Sequence, residues 1–310
     1  MDSNLSQEVI LKRGKTFKKI LFCVDFSPFA ELLLSCVEEY VNVGMKEIIL
    51  LHVVEAKVYA DYGEGANPAF LEIEREAQEL LERLADRIDA SRVQVRPMVK
   101  AGSAASVIAD TAKEENVSLI FMGAHGKGFL DRFIIGSVSE KVLRLADRPV
   151  LIEQCRVRKA GNDYACEKAC SLLFENILFA NDFSEYSERI WPILADMANH
   201  ICAPVTLLHV REGRTNWGWD AAYRALQGKA KDNMRRLEDL VDSLSGGCPK
   251  VDEEMAEGSP APRILEIAAE RNASLIVIGA LGNRTVGTLL GGVAERVLRE
   301  SERPVLVLKA

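Results

Sequence analysis

At 310 residues the chain is long enough for two domains of about 150 residues, each able to bury roughly two thirds of its unfolded surface. Its 48% hydrophobic and 27% charged residues exclude a disordered or fibrous class, and no run of about 18 apolar residues offers a membrane span. A net charge of −7 without a basic run excludes a large electrostatic footprint for nucleic acid or an anionic membrane.

The opening segment, MDSNLSQEVILKRGK, has no apolar core behind basic residues, so a cytoplasmic location is expected. Strands are predicted at KKILFCV (18–24), EIILLHVV (47–54), VQVRPMV (93–99), VSLIFMG (117–123) and PVLI (149–152), with helical patterns between them. Ser27 before Pro28 reads as a helix cap followed by a first helical residue. Residues 153–174 break the alternation and are expected to be a linker with one helical turn. They hold Cys155, Cys166 and Cys170, the only local cluster among seven cysteines. That odd, scattered set gives no disulfide framework and no paired zinc spacing, so free thiols are expected. A second series of strands follows at NILFAN (176–181), PVTLLHV (204–210), VDEEMAE (251–257), ASLIVIG (273–279) and PVLVLK (304–309); Ser184 takes the place of Ser27, and Ser259 with Pro260 opens a further helix. Continuous β-rich runs separated by helices indicate parallel strands covered on both faces.

The two series are one pattern written twice. Asp25 and Asp182 lie 157 residues apart, as do His52 and His209; Gly102 and Gly258, and Gly123 and Gly279, are 156 apart; Gly136 and Gly291, and Pro149 and Pro304, are 155 apart. Two single-residue slips over about 130 residues are the mark of an internal duplication. The expected domains are therefore 1–152 and 175–310.

In a parallel α/β sheet, ligands bind beyond the carboxyl ends of the strands, where successive connections diverge. Asp25 follows the first strand, and GAHGKGFLDRFIIGSVSEK (123–141) leaves the fourth. Gly123 and Gly126 let the backbone turn close to a ligand, Lys127 offers a positive charge, and Gly136 with Ser137 puts free N–H groups and a hydroxyl at a helix start. These are the parts of a phosphate cradle. GKT at 14–16 lacks the upstream glycine of a P-loop, DYGEGAN lacks the third glycine of a dinucleotide fingerprint, and SGGC at 245–248 reads as a helix terminator.

Gly123, Gly126, Gly136 and Ser137 spell G-x2-G-x9-G-[ST], which resembles the ATP-binding signature of the universal stress protein family; VDFS, LLHV and RPVL extend the resemblance to nearly the whole chain, in both copies. The resemblance implies two tandem doubly wound five-stranded parallel sheets, Rossmann-like, of strand order 3-2-1-4-5, paired as a pseudo-dimer through their last strands. It also implies an adenine nucleotide, ATP or AMP, between the first and fourth strands, with Mg or Mn joining the phosphates. Carried over by motif, Cys23, Val24, Asp25 and Val53 contact the nucleoside, while Met122, Gly123, His125, Gly126, Gly136, Ser137 and Val138 line its phosphate and ribose side. No metal ligand comes from a protein side chain in this reading. A homodimer of the fused chain is a further assembly that the sequence allows.

The second copy departs from the signature. It has one residue fewer between Gly282 and Gly291, with Leu281 in place of His125 and Gly292 in place of Ser137. Losing that hydroxyl removes a hydrogen bond to phosphate worth about 1–2 kcal/mol. Asp182, Val210, Gly279, Gly282, Gly291 and Gly292 outline a second, weaker site. Blander roles compete: Asp25 could simply cap a helix, and His52 and His209, inside apolar strands, read as core histidines with one satisfied nitrogen. With no catalytic machinery in view, the leading reading is a nucleotide-binding stress-response regulator. A slow metal-dependent ATPase or nucleotide transferase is the first alternative, and a ligand-free interaction scaffold is the second.

Overall fold

The computed structural model describes residues 17–34, 37–55, 68–124, 135–154, 157–160, 163–166, 173–201, 203–211, 232, 235, 251–282 and 290–309. They fall into two compact units, a first within Phe17–Ser171 and a second within Leu172–Ala310.

The first unit runs β1 (Lys19–Cys23), α1 (Pro28–Leu33), α2 (Val37–Asn42), β2 (Glu47–Glu55), α3 (Pro68–Ala85), β3 (Gln94–Gly102), α4 (Ala104–Glu114), β4 (Leu119–Gly123), α5 (Ser137–Leu145) and β5 (Val150–Glu153). Its strands are parallel in the order β3-β2-β1-β4-β5. The second unit runs β8 (Ile177–Ala180), α6 (Glu185–Ile201), β9 (Val205–Arg211), β10 (Val251–Glu257), α7 (Pro260–Glu270), β11 (Leu275–Gly279), α8 (Gly292–Glu300) and β12 (Val305–Leu308). It repeats the order as β10-β9-β8-β11-β12. All ten strands expected from the sequence form, and so does the strand order 3-2-1-4-5 in each unit.

Burial explains the order. The middle strands carry unbroken apolar runs, Ile20, Leu21 and Phe22 on β1 and Leu119, Ile120 and Phe121 on β4, all buried because helices cover both faces. The outermost β3 and β10 are more exposed. Pro97, which has no N–H to give a ladder, sits on β3, beyond which no strand pairs among the described residues of the unit. The helices bury one stripe each: Ala105, Ile108, Thr111 and Ala112 on α4, and Ala261, Ile264, Ile267 and Ala268 on α7.

The duplication reaches the backbone conformation. Asn116 and Asn272 follow α4 and α7 in the left-handed region, at φ 49° and 50°. In each case the next two amides turn back on the helix: Asn116 and Val117 donate to Lys113 O and Ala112 O, and Asn272 and Ala273 to Ala269 O and Ala268 O. Ser27 and Ser184 accept from Ala30 N–H (3.1 Å) and Ser187 N–H (3.2 Å), the expected caps. Ser259 holds the cap position of α7 ahead of Pro260, but its side chain makes no capping bond.

Where a helical turn was expected in the linker, β6 (Val157–Ala160) and β7 (Asp163–Cys166) pair antiparallel. Ala160 opposite Asp163 leaves a two-residue connection, Gly161-Asn162, a pair that tight hairpins favour. Among the described residues no helix is long and apolar enough to cross a membrane.

Candidate functional site

The strand order reverses at β1, which lies between β2 and β4. Its outgoing chain is held open by a short set of local bonds. Val24 N–H donates to Leu51 O at 2.8 Å, continuing the β1–β2 ladder by one residue. Asp25 Oδ1 accepts from Ser27 N–H at 3.0 Å, and Phe26 between them sits at φ 55°, a conformation that costs a bulky residue energy and needs support. The support comes from His52 near the end of β2, whose ring lies 4.2 Å from that of Phe26, tilted 35°, while its Nδ1 meets Val24 O at 2.7 Å. A carbonyl only accepts, so Nδ1 carries the proton. The second unit repeats the clamp with Phe183 at φ 54°, its ring 4.7 Å from His209, and His209 Nδ1 2.9 Å from Asn181 O.

This clamp is what the sequence reading missed. Both histidines do have a bonded ring nitrogen, as expected, yet they are half-buried and face the site-forming turn rather than lying in the core. The signal was available in the aromatic that follows each strand-end aspartate, at Phe26 and Phe183.

On the other side of the crevice, Ala124 N–H donates to Glu153 O (2.9 Å) and Gly136 N–H to Ala124 O (2.8 Å). Gly136 was expected to offer a free amide; its own N–H is instead spent on bringing the chain back to β4. It holds the cap position of α5 with no side-chain cap, and Glu140 N–H already donates to Gly136 O. The amides of Ser137, Val138 and Ser139 precede the first carbonyls of the helix that could accept them. Ser139 Oγ donates to Gly123 O at 3.1 Å, tying this turn to the end of β4. The result is a helix start bearing partial positive charge, with Ser137 exposed beside it.

The structure therefore places Cys23, Val24 and Asp25 at the end of β1, Val53 near the end of β2, Met122 and Gly123 at the end of β4, and Gly136, Ser137 and Val138 at the start of α5. His125, Gly126 and Lys127 lie outside the described residues. Cys23 is half-exposed as a residue, but burial of its sulfur pushes the thiol up to about 12. It contributes shape, not a nucleophile. Among the described residues no group of three or more His, Cys, Asp or Glu side chains is placed to hold a metal ion.

The second unit has the same outline with different chemistry. Gly291 N–H donates to Ala280 O at 2.7 Å, and Gly291 caps α8. Among the described residues a Cβ on Gly292 would meet nothing within 4 Å, where the first unit carries the Ser137 side chain. Ala294 stands where the first unit has Ser139, which removes the tie to the strand end. Asp182 Oδ1 accepts from Ser184 N–H (3.1 Å), Ser184 Oγ (2.6 Å) and Ser187 Oγ (2.6 Å). Gly279 and Val210 end β11 and nearly end β9, and Gly282 packs on the Asp182 carboxylate.

Comparison with known proteins agrees with the duplication. The model of the universal stress protein family matches residues 16–153 and again 173–309. The chain is 30% identical over 152 residues to universal stress protein MJ0577 of Methanocaldococcus jannaschii, an alignment covering 44% of this chain and 94% of that one. It is 31% identical over 145 residues to universal stress protein YxiE of Bacillus subtilis, covering 44% and 98%. Among solved structures, a universal stress protein from Archaeoglobus fulgidus is similar over 94% of this chain and 98% of its own, with a TM-score of 0.69 and 25% identity.

Proposed function

Since the chain belongs to the universal stress protein family over both of its halves, we propose that its first unit binds an adenine nucleotide, ATP or AMP, and that occupancy regulates the protein in the cytoplasm. One observation carries this reading. A carboxylate with acceptor capacity to spare follows β1, and a helix start with donors to spare is tied back to the end of the adjacent β4, at the switch point of one sheet.

Among the described residues Asp25 accepts a single hydrogen bond, from Ser27 N–H, which leaves most of its lone pairs for the hydroxyl or amino donors of a nucleoside. Cys23, Val24 and Val53 supply the apolar wall. The first turn of α5, with Gly136, Ser137 and Val138, favours a phosphate through its amides and its dipole, joined by Met122 and Gly123 and by His125, Gly126 and Lys127 of the intervening loop. A divalent cation, Mg or Mn, would be held by the phosphates and would neutralise part of their charge.

Calorimetric titration of the whole chain with ATP and AMP, in the presence of Mg²⁺, tests the assignment. Ser137→Asp puts a like charge at the helix start and Gly126→Trp fills the loop; each is expected to weaken binding at least about tenfold, or ~1.4 kcal/mol, with the fold retained by circular dichroism. Unchanged affinity in both variants, or no heat with either nucleotide, refutes it.

A further inference from the structure

The two units use the same aspartate differently. Among the described residues, Asp25 Oδ1 receives one N–H, whereas Asp182 Oδ1 receives one N–H and two hydroxyls. On the other side of the Asp182 carboxylate, a Cβ built on Gly282 would come within 2.6 Å of Oδ2, so a side chain there would push the carboxylate aside. Gly282 belongs to the chain leaving β11, and β11 is the neighbour of β8, so Asp182 joins the two strand-end segments that flank the second switch point. Ser184 and Ser187 are both buried, 5% and 4% exposed. A ligand that took Asp182 Oδ1 as its acceptor would have to displace these buried hydroxyls, and an orphaned buried donor is costly.

The residue that separates the units is Ser187, which stands where the first unit has Ala30. The backbone beneath is the same: Ala30 N–H and Ser187 N–H donate to their capping serines at 3.1 and 3.2 Å. A hydroxyl at position 30 would therefore reach Asp25 as the Ser187 hydroxyl reaches Asp182.

We propose that Ser187, with Ser184 and Gly282, commits Asp182 to a structural latch that closes the second crevice to nucleosides, so that the chain takes one nucleotide, in its first unit. The count of one rests on the nucleotide reading of the first unit; the latch does not.

The test combines ATP calorimetry in the presence of Mg²⁺ with thermal unfolding followed by tryptophan emission, on the full chain and its Ser187→Ala and Ala30→Ser variants. The expected results are one equivalent of ATP bound by the parent, and an affinity within about twofold of the parent for Ser187→Ala with a melting temperature lower by a few degrees. For Ala30→Ser, the imported latch is expected to weaken ATP at least about fivefold with no loss of melting temperature. Two equivalents bound by the parent, or an unshifted melting temperature in Ser187→Ala, overturns the latch, as does an unchanged ATP affinity in Ala30→Ser. If the parent binds no ATP, the nucleotide reading fails and the melting temperature of Ser187→Ala alone decides the latch.

Discussion

Glu153 ends β5 opposite Gly123, and its side chain is fully buried with no hydrogen-bond partner for either carboxylate oxygen among the described residues. Burial, reinforced by the carboxylate of Glu39, pushes its carboxyl from the ordinary 4.5 up to about 8. The folded unit thus holds Glu153 protonated at neutral pH. Between about pH 4.5 and 8 the unfolded chain releases this proton and the folded chain keeps it, so stability falls as pH rises. Each unit of displacement is worth about 1.4 kcal/mol, which sets a ceiling near ~5 kcal/mol for the window and an effect on the order of a few kcal/mol. Glu153→Gln keeps the shape and abolishes the proton. Glu153→Leu imports Leu308, the buried residue at the matching place of the second unit, and replaces an unpartnered acid with apolar burial. Guanidinium unfolding at pH 5, 6.5 and 8, followed by far-UV circular dichroism, should show the parent losing stability as pH rises while both variants stay flat over that window. All three tryptophans, Trp191, Trp217 and Trp219, belong to the second unit, so their emission supplies a control on the same samples. Parallel pH slopes in the parent and in Glu153→Gln would refute the reasoning.

Two further outcomes follow from charges and thiols elsewhere in the first unit. Lys19, Glu47, Arg96 and Glu115 close a ring of ion pairs at the amino ends of the strands, with contacts of 2.8–3.3 Å; hydrogen bonds from Arg96 and then Lys19 hold the Glu115 carboxyl down to about 2. Its contribution is present above the ordinary carboxylate range and is lost as pH falls from about 4.5 towards 2; because the pairs are partly exposed, Glu115→Gln should cost about 1 kcal/mol at pH 6 and progressively less by pH 3 in urea titrations, and a difference that ignores pH would contradict this. The Cys23 thiol, pushed up to about 12, should resist iodoacetamide at pH 8 in the native protein and react in denaturant, read by mass spectrometry of its peptide; native labelling at the rate of an exposed thiol would contradict it.

The fold was readable from the sequence because its determinants are local and repeated. Unbroken apolar runs such as Ile20–Phe22 and Leu275–Ile278, set between helical patterns, read as central parallel strands, and the constant offset between copies lets each half check the other. The hairpin at Val157–Cys166 escaped because its signal is the two-residue Gly161-Asn162 connection, hidden in a segment that otherwise reads as a linker. At the site, the residue types and their spacing were legible, but the direction of each hydrogen bond was not. Nothing in the string says that the Gly136 amide turns inward to Ala124, and the aromatic after each strand-end aspartate hints at a contact without giving the left-handed conformation of Phe26 or its packing on His52. Those outcomes depend on three segments distant in sequence meeting at one strand end.

The pattern of divergence between the copies then becomes informative. The devices that shape the turns are kept: Phe26 and Phe183, His52 and His209, Asn116 and Asn272. At the amino ends of the strands the copies differ, but one ion-pair arrangement is exchanged for another, with Arg271 bound to Glu254 at 2.7 Å in place of the ring around Glu115. At the carboxyl ends the exchanges do not conserve chemistry. Ala30 becomes Ser187, Ser137 becomes Gly292, Ser139 becomes Ala294 and Glu153 becomes Leu308. Among the described residues nothing packs where a side chain at 292 would stand. Ser187 adds a donor to the aspartate and Gly292 removes one from the helix start, Ala294 unties that turn from the strand end, and Leu308 replaces a buried acid with apolar packing. On the proposed function, these exchanges assign anion binding to the first unit and leave the turn around Asp182 a structural role in the second.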